Sequence, residues 1–186
     1  MLEAGSWKLE AGSWKLEETG FTLIELLIVI AIVGVLATMA VVGVRTARIR
    51  SEEAAAITAL NAINHAQFAF MQTCGRQRYA PTLVSLGRPA PGAERGFVSP
   101  DLAVSDPLHK SGYAIQLSGT AATEGEQTCN GDVPLERYRL TADPLMPGLG
   151  HRFFGSNVDR VIYNDTVSFS ADMPESGAAG HGAEIR

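Results

Sequence analysis

The spacing of apolar and polar positions changes three times along this chain, and each change predicts a different element. From Phe21 to Val44 nearly every position is apolar: 24 residues hold no Lys or Arg and a single acid, Glu25. At about 1.5 Å per residue, a helix of that length covers about 36 Å, enough to cross a hydrocarbon core of about 30 Å. Thr22, Gly34, Thr38 and Gly43 are the other non-oily positions, and all are tolerated in a lipid-embedded helix. A buried core helix is the alternative. It fits poorly, because the run is apolar on every face and longer than ordinary core helices.

Arg45, Arg48 and Arg50 mark the emergence into water, followed by Glu52 and Glu53. The pattern then becomes amphipathic. Ala56, Ala59, Leu60, Ile63, Ala66 and Phe70 fall on one face at helical spacing, while Asn61, Asn64 and Gln72 are expected to face elsewhere. The reading is one helix from about Phe21 to about Thr73, roughly 80 Å long. Its half in residues 21–44 wants lipid or other helices around it; its half in residues 45–73 wants a single domain packed on one stripe.

After Gly75 the texture changes again. Pro81, Pro89 and Pro91 prevent a long helix and allow one short turn around Thr82 to Leu86. Strand-like runs follow at 112–119, 135–143 and 151–155, and from 159 to 170 as "DRVIYN" into "TVSFS". In the second run Leu135, Arg137 and Arg139 alternate with Glu136, Tyr138 and Leu140, with polar groups on both faces. Gly and Pro clusters between the runs suit a small antiparallel meander over residues 74–171, whose apolar side would cover the helix stripe. Residues 172–186 hold too few apolar side chains to pack and are expected to form a flexible tail. The predicted fold class is α+β: a long N-terminal helix packed by its C-terminal half on a small antiparallel sheet.

The leader, residues 1–20, is of another kind. "LEAGSWK" occurs at 2–8 and again at 9–15, too few copies for a stacked repeat, and no fold is expected for it. A secretory signal peptide is cut after its apolar region. Here the break comes before it, between Gly20 and Phe21. Cutting there would keep the oily helix on the mature chain and create an α-amino group on Phe21, charged at neutral pH since such groups have pKa values of about 7.7–8.0. That gives Glu25 a rationale. A charge at the centre of a membrane helix costs about 2.5–3.5 kcal/mol, less toward the interface, and an ammonium partner offsets it. Phe21 and Glu25 are four apart and are expected to share a helix face. In a staggered bundle the Glu25 of one chain would meet the Phe21 amine of the next and fix one axial register.

Composition excludes several classes. The 186 residues suit one domain, and the formal net charge of -5, with no Lys/Arg-rich run, argues against nucleic-acid binding. His65, His109, His151 and His181 are scattered without metal-ligand spacing and are expected at the surface. Asp159, Asn164 and Asp165 lack a regular calcium-ligand pattern and read as turn residues. No phosphate-binding loop or nucleophile motif is present, so no catalytic residue, cofactor or metal is expected and the chain is not read as an enzyme. Phe68, Phe70 and Tyr79 are expected to pack in the core. Cys74 and Cys129 are expected to bridge the helix end to the loop between the first two predicted strands, with two unrelated free thiols the alternative. In the loop-entropy picture, closing about 55 residues stabilises by about 4 kcal/mol.

The stretch from Gly20 to Ala37, "GFTLIELLIVIAIVGVLA", closely resembles the class III signal of type IV pilins and type II secretion pseudopilins. The resemblance spans the leader junction and about twenty apolar residues. It implies cleavage after Gly20 by a prepilin peptidase, methylation of the new N-terminal Phe21, and a role for Glu25 in assembly. It also implies the pilin fold. "RYAPTLVSLG", "KSGYAIQL" and "YRLTADPLMPG" with "RFFG" are similar to pilin-like sequences more loosely. Where many pilins carry a proline in the helix, this chain reads "ATMAVVGVR" with Gly43. The implied function is a structural pilin. It would wait as a single-pass inner-membrane protein with a periplasmic domain, then polymerise through its N-terminal helix at a pilus assembly platform and end in a surface filament. A type II secretion pseudopilin forming a short pseudopilus is the alternative implied by the same block. The absence of the calcium-loop pattern expected of the major pseudopilin favours the pilus. A membrane-anchored domain that never polymerises is a third reading, and no binding site for one is legible.

Overall fold

The computed structural model describes residues 20–123, 127–146 and 151–185, apart from the side chains of 39–42. The leader expected to be removed lies outside the described residues, save Gly20. The chain divides into two compact units, Met1–Gly43 and Val44–Arg186. Helix α1 runs Leu23–Thr73, and the rest is a small antiparallel sheet with two short helical turns, an α+β architecture.

In the second unit the expected stripe forms the core. Ala56, Ala59, Leu60, Ile63, Ala66 and Phe70 are all buried, and they pack in one cluster with Ile115, Leu117, Tyr138, Leu140 and Phe154 of the sheet. Each large apolar side chain so buried contributes about 1.5–3 kcal/mol. Asn64 does not face elsewhere: it is 2% exposed. Its amide donates to Ser156 Oγ at 2.8 Å and its carbonyl accepts from the Tyr138 hydroxyl at 3.0 Å. One turn on, Gln67 both donates to the Ala80 carbonyl and accepts from its N–H. A buried amide is tolerated only when satisfied, and these two partner sets fix where α1 sits on the sheet.

The helix ends at Cys74 and Gly75, whose N–H groups both donate to the Phe70 carbonyl. A Cβ on Gly75 would come within 1.9 Å of the Arg78 carbonyl oxygen, so the chain closes tightly there. Arg76 and Gln77 carry positive φ and turn the chain back. A short helix α2, Leu83–Gly87, follows, capped by the Thr82 hydroxyl on the Ser85 N–H.

The sheet is a six-stranded meander in sequence order: β1 (Leu108–Lys110), β2 (Tyr113–Ala121), β3 (Leu135–Pro144), β4 (Phe153–Asn157), β5 (Ile162–Asp165) and β6 (Ala183–Glu184). Every neighbouring pair is antiparallel. Three-residue β1 was not legible as a strand. The mixed faces of β3 have a local cause: the register shifts at Thr120/Ala121, which pair with Arg137 and Leu135. Glu136 is therefore the extra residue of a bulge, and Leu135 joins Tyr138, Leu140 and Ala142 on the helix side. "TVSFS" does not continue β5. The Thr166 N–H turns onto Asp165 Oδ1, and Phe169 is buried against the other face of the sheet.

Residues 172–185 are not a loose tail. Met173 is 1% exposed and packs with Phe169 and Tyr163 as a second apolar cluster. Gly155 makes room for it, since a Cβ there would lie 2.8 Å from the Met173 sulfur and 2.9 Å from the Phe169 ring. The strap continues by hydrogen bonds. The Asn157 amide donates to the carbonyls of Pro174 and Gly177, the Gly177 N–H donates to Asp159, and the Ile185 N–H donates to the Ile162 carbonyl. His181 stacks on Phe169 at 4.5 Å and bridges Asp165 and Asp172. Two apolar side chains and a glycine opening suffice where average composition suggested none would.

Candidate functional site: the N-terminal segment and the start of the second unit

Thr22 sets the start of α1. Its hydroxyl accepts from the Glu25 N–H and its carbonyl from the Leu26 N–H, each at 3.2 Å. Thr22 and Glu25 have the T-x-x-E spacing of a capping box, a signal the sequence held and the expectation of a start at Phe21 overlooked. Phe21 thus lies before the first residue of α1, Leu23. Glu25 lies in the first turn, where the helix dipole favours an anion. Among the described residues nothing donates a hydrogen bond to its carboxylate.

From Phe21 to Leu36 the large apolar side chains are outward. Phe21 is 78% and Leu23 81% exposed, and Ile24, Leu26, Leu27, Ile28, Val29, Ile30, Ile32, Val33, Val35 and Leu36 are also exposed. The helix is long and apolar enough to cross a membrane, and none of its most apolar stretch is buried. The Thr38 hydroxyl donates to the Val35 carbonyl, which satisfies that polar group within the helix. Added Cβ atoms on Gly20, Gly34 and Gly43 would meet nothing, so packing within the chain requires glycine at none of them.

At the start of the second unit a set of ion pairs ties α1 to the sheet. Arg48 pairs with Glu52 at 2.8 Å, and His151 Nε2 lies 3.0 Å from the same carboxylate. The hydrogen bond from Arg48, then that from His151, holds the Glu52 carboxyl below its ordinary range. Arg152 grips Glu53 by its Nε and Nη2 and by its backbone N–H, and reaches Asn164 with Nη1. Burial pushes Glu53 up, but the Arg152 hydrogen bonds and charge outweigh it and leave that carboxyl below its ordinary range. His151 is therefore not a surface histidine: its side chain is 7% exposed.

At the far end of α1, Cys74 and Cys129 are joined, with Cα atoms 4.8 Å apart, and the Cys129 N–H donates to the Cys74 carbonyl. Phe70 and Tyr79 pack edge-on against Phe97 and Tyr138. Phe68 departs from the expected core position: it is 39% exposed and carries the Arg160 guanidinium 4.7 Å above its ring. Asp159, Asn164 and Asp165 all take protein partners, Gly177, Arg152 and His181 among them.

Residues 17–41 match the family model for the prokaryotic N-terminal methylation motif. This motif is the class III signal of type IV pilins and pseudopilins, and it supports a pilin- or pseudopilin-type substrate of prepilin peptidase. Comparison with curated proteins and with solved structures gave no match. A class III signal on an apolar N-terminal helix fits anchoring in the inner membrane before assembly.

Proposed function

We propose that the chain is the structural subunit of a type IV pilus, cut after Gly20, methylated on Phe21 and polymerised through the apolar part of α1. The observation that carries this reading is the methylation motif at residues 17–41 on a helix start whose apolar side chains are all outward. Such a surface is stable only in lipid or among copies of itself. Gly20 supports the cleavage site. Among the described residues neither packing nor a left-handed backbone demands glycine there, which is compatible with a role in recognition by the processing enzyme.

Glu25 supports the assembly step. Its carboxylate is uncommitted among the described residues, and the ammonium that complements it exists only once Phe21 is a terminus. The pair would form between neighbouring copies, and its loss would leave one uncompensated charge among apolar helices. That favours the single register in which it is made.

A short secretion pseudopilus would use the same motif. Shearing cells and probing the released material for this chain tests the choice. Long surface filaments containing it support the pilus, whereas retention with the cell envelope, with secretion lost on deletion, supports the pseudopilus. A membrane-bound chain that never polymerises would overturn both.

A further inference from the structure

We propose that Arg50 and the groove it lines beside α1, with Arg45 at its flank, form a docking site for the phosphate headgroup of an anionic phospholipid. The inference rests on the reading that the apolar segment is membrane-inserted before assembly. It adds a lipid partner to the start of the second unit.

Arg45 follows Val44 directly, and Arg50 is six residues beyond Val44, about 9 Å along a helix. The headgroup layer on each side of a bilayer is about 5–8 Å thick. Helical side chains lean toward the helix N-terminus, which for Arg45 and Arg50 is the direction of Val44. Both arginines are exposed, and neither forms an ion pair among the described residues. The carboxylates nearby are already taken, Glu52 by Arg48 and His151, and Glu53 by Arg152.

The local charge opposes that of the whole molecule. Arg45, Arg48, Arg50 and Arg152 against Glu52 and Glu53 leave a surplus of two positive charges here, on a chain whose net charge is -5. Arg50 lines a groove with Thr46, Ile49, Glu53, Ile57 and Arg152. Thr46, Arg50, Glu53 and Ile57 lie at helical spacing along one face. The groove thus offers a fork that matches a phosphate bidentately beside the apolar flanks of Ile49 and Ile57, which suit the glycerol and first methylenes of a lipid. Ile57 is half-buried against the core and Ile49 is half-buried; a soluble anion would use the guanidinium and leave their remaining apolar flanks in water, whereas a lipid covers them, so the lipid is the occupant the groove fits.

The test uses the full-length chain reconstituted in bilayers of phosphatidylcholine with a minor share of phosphatidylglycerol. Native mass spectrometry after release reads the ratio of the two lipids retained. Wild type should be enriched in phosphatidylglycerol, and the enrichment should weaken with salt. Each arginine lost should lower it about fivefold, and the double variant Arg45→Gln/Arg50→Gln about 25-fold. Arg95→Gln, an exposed loop arginine, should leave it unchanged. No enrichment in wild type, an unaltered ratio in the double variant, or an equal loss in Arg95→Gln would overturn the proposal. So would inorganic phosphate binding to the detergent-solubilised chain without any lipid preference. Alkaline extraction of the same vesicles separates the two levels. A chain that resists extraction but shows no lipid preference sinks this inference alone, and a chain that is extracted sinks the membrane reading beneath it as well.

Discussion

Met173→Ala is the sharpest probe of the strap formed by residues 172–185. The side chain is 1% exposed and fills the space over Gly155 beside Phe169. Truncating a buried Met to Ala costs about 2–5 kcal/mol. The strap lies on the outer face of the sheet and can settle into the void, so about 2–3 kcal/mol is expected. The loss should appear as local opening, because the main core on the opposite face is untouched. At about 1.4 kcal/mol per tenfold, the opening constant rises about 30- to 150-fold. Hydrogen exchange on the full chain in detergent measures it directly. The Gly177 and Ile185 amides, which bond to Asp159 and Ile162, should lose that much protection. The Cys129 and Leu135 amides, bonded to Cys74 and Tyr79, should not change. Leu145→Ala, at a position 48% exposed, is the control. If the strap amides exchange at the wild-type rate in Met173→Ala, the second core is not what holds the segment.

Three further outcomes follow from other contacts. Asn64→Ala strips the Tyr138 hydroxyl and Ser156 Oγ of their shared partner and should lower unfolding stability by about 2–3 kcal/mol in a denaturant titration. An unchanged midpoint would show that water replaces the amide. Removing the bridge by Cys74→Ser/Cys129→Ser should lower stability by about 4 kcal/mol for a separation of 55 residues; dithiothreitol should lower the wild type by a similar amount and leave the double variant unchanged, which closes the gap between them. The hydrogen bond from His181 to Asp165, then that to Asp172, raises the His181 pKa above its ordinary 6.5, while His181 and the Thr166 N–H hold Asp165 below the ordinary carboxylate range. A raised histidine stabilises fully below 6.5 and loses that contribution as pH climbs through the folded value. A depressed carboxyl stabilises above its ordinary value and loses that as pH falls through the folded one. Strap protection should therefore be highest on the mildly acidic side of neutrality and decline in both directions. His181→Gln should abolish the alkaline decline, and an identical decline in that variant would exclude His181.

What the sequence disclosed, and what it hid, follows from the length scale of each signal. The apolar run and the stripe from Ala56 to Phe70 repeat over many turns, so periodicity alone located α1 and its buried face. The polar positions misled where one partner decides the outcome. Asn64 reads as a surface residue until Tyr138 and Ser156, 74 and 92 positions away, are seen to satisfy it. His151 lies 99 positions from Glu52, beyond the reach of spacing rules. The tail was misread because mean composition cannot register two apolar side chains meeting one glycine. At the candidate site, Gly20, Phe21 and Glu25 fall within the motif matched at residues 17–41, a signal local enough to stand out in the sequence, whereas the capping role of Thr22 was present as T-x-x-E and was passed over.

The central claim is that this chain becomes an assembling subunit only after processing at Gly20. The most direct measurement is mass spectrometry of the N-terminal peptide from sheared filaments, with Glu25→Ala cells examined in parallel. The account predicts filaments whose chains begin at Phe21 carrying one added methyl group. It predicts a Glu25→Ala chain that is inserted and cut but yields few filaments. Filaments built from chains that retain the leader, or normal filaments from Glu25→Ala, would contradict it.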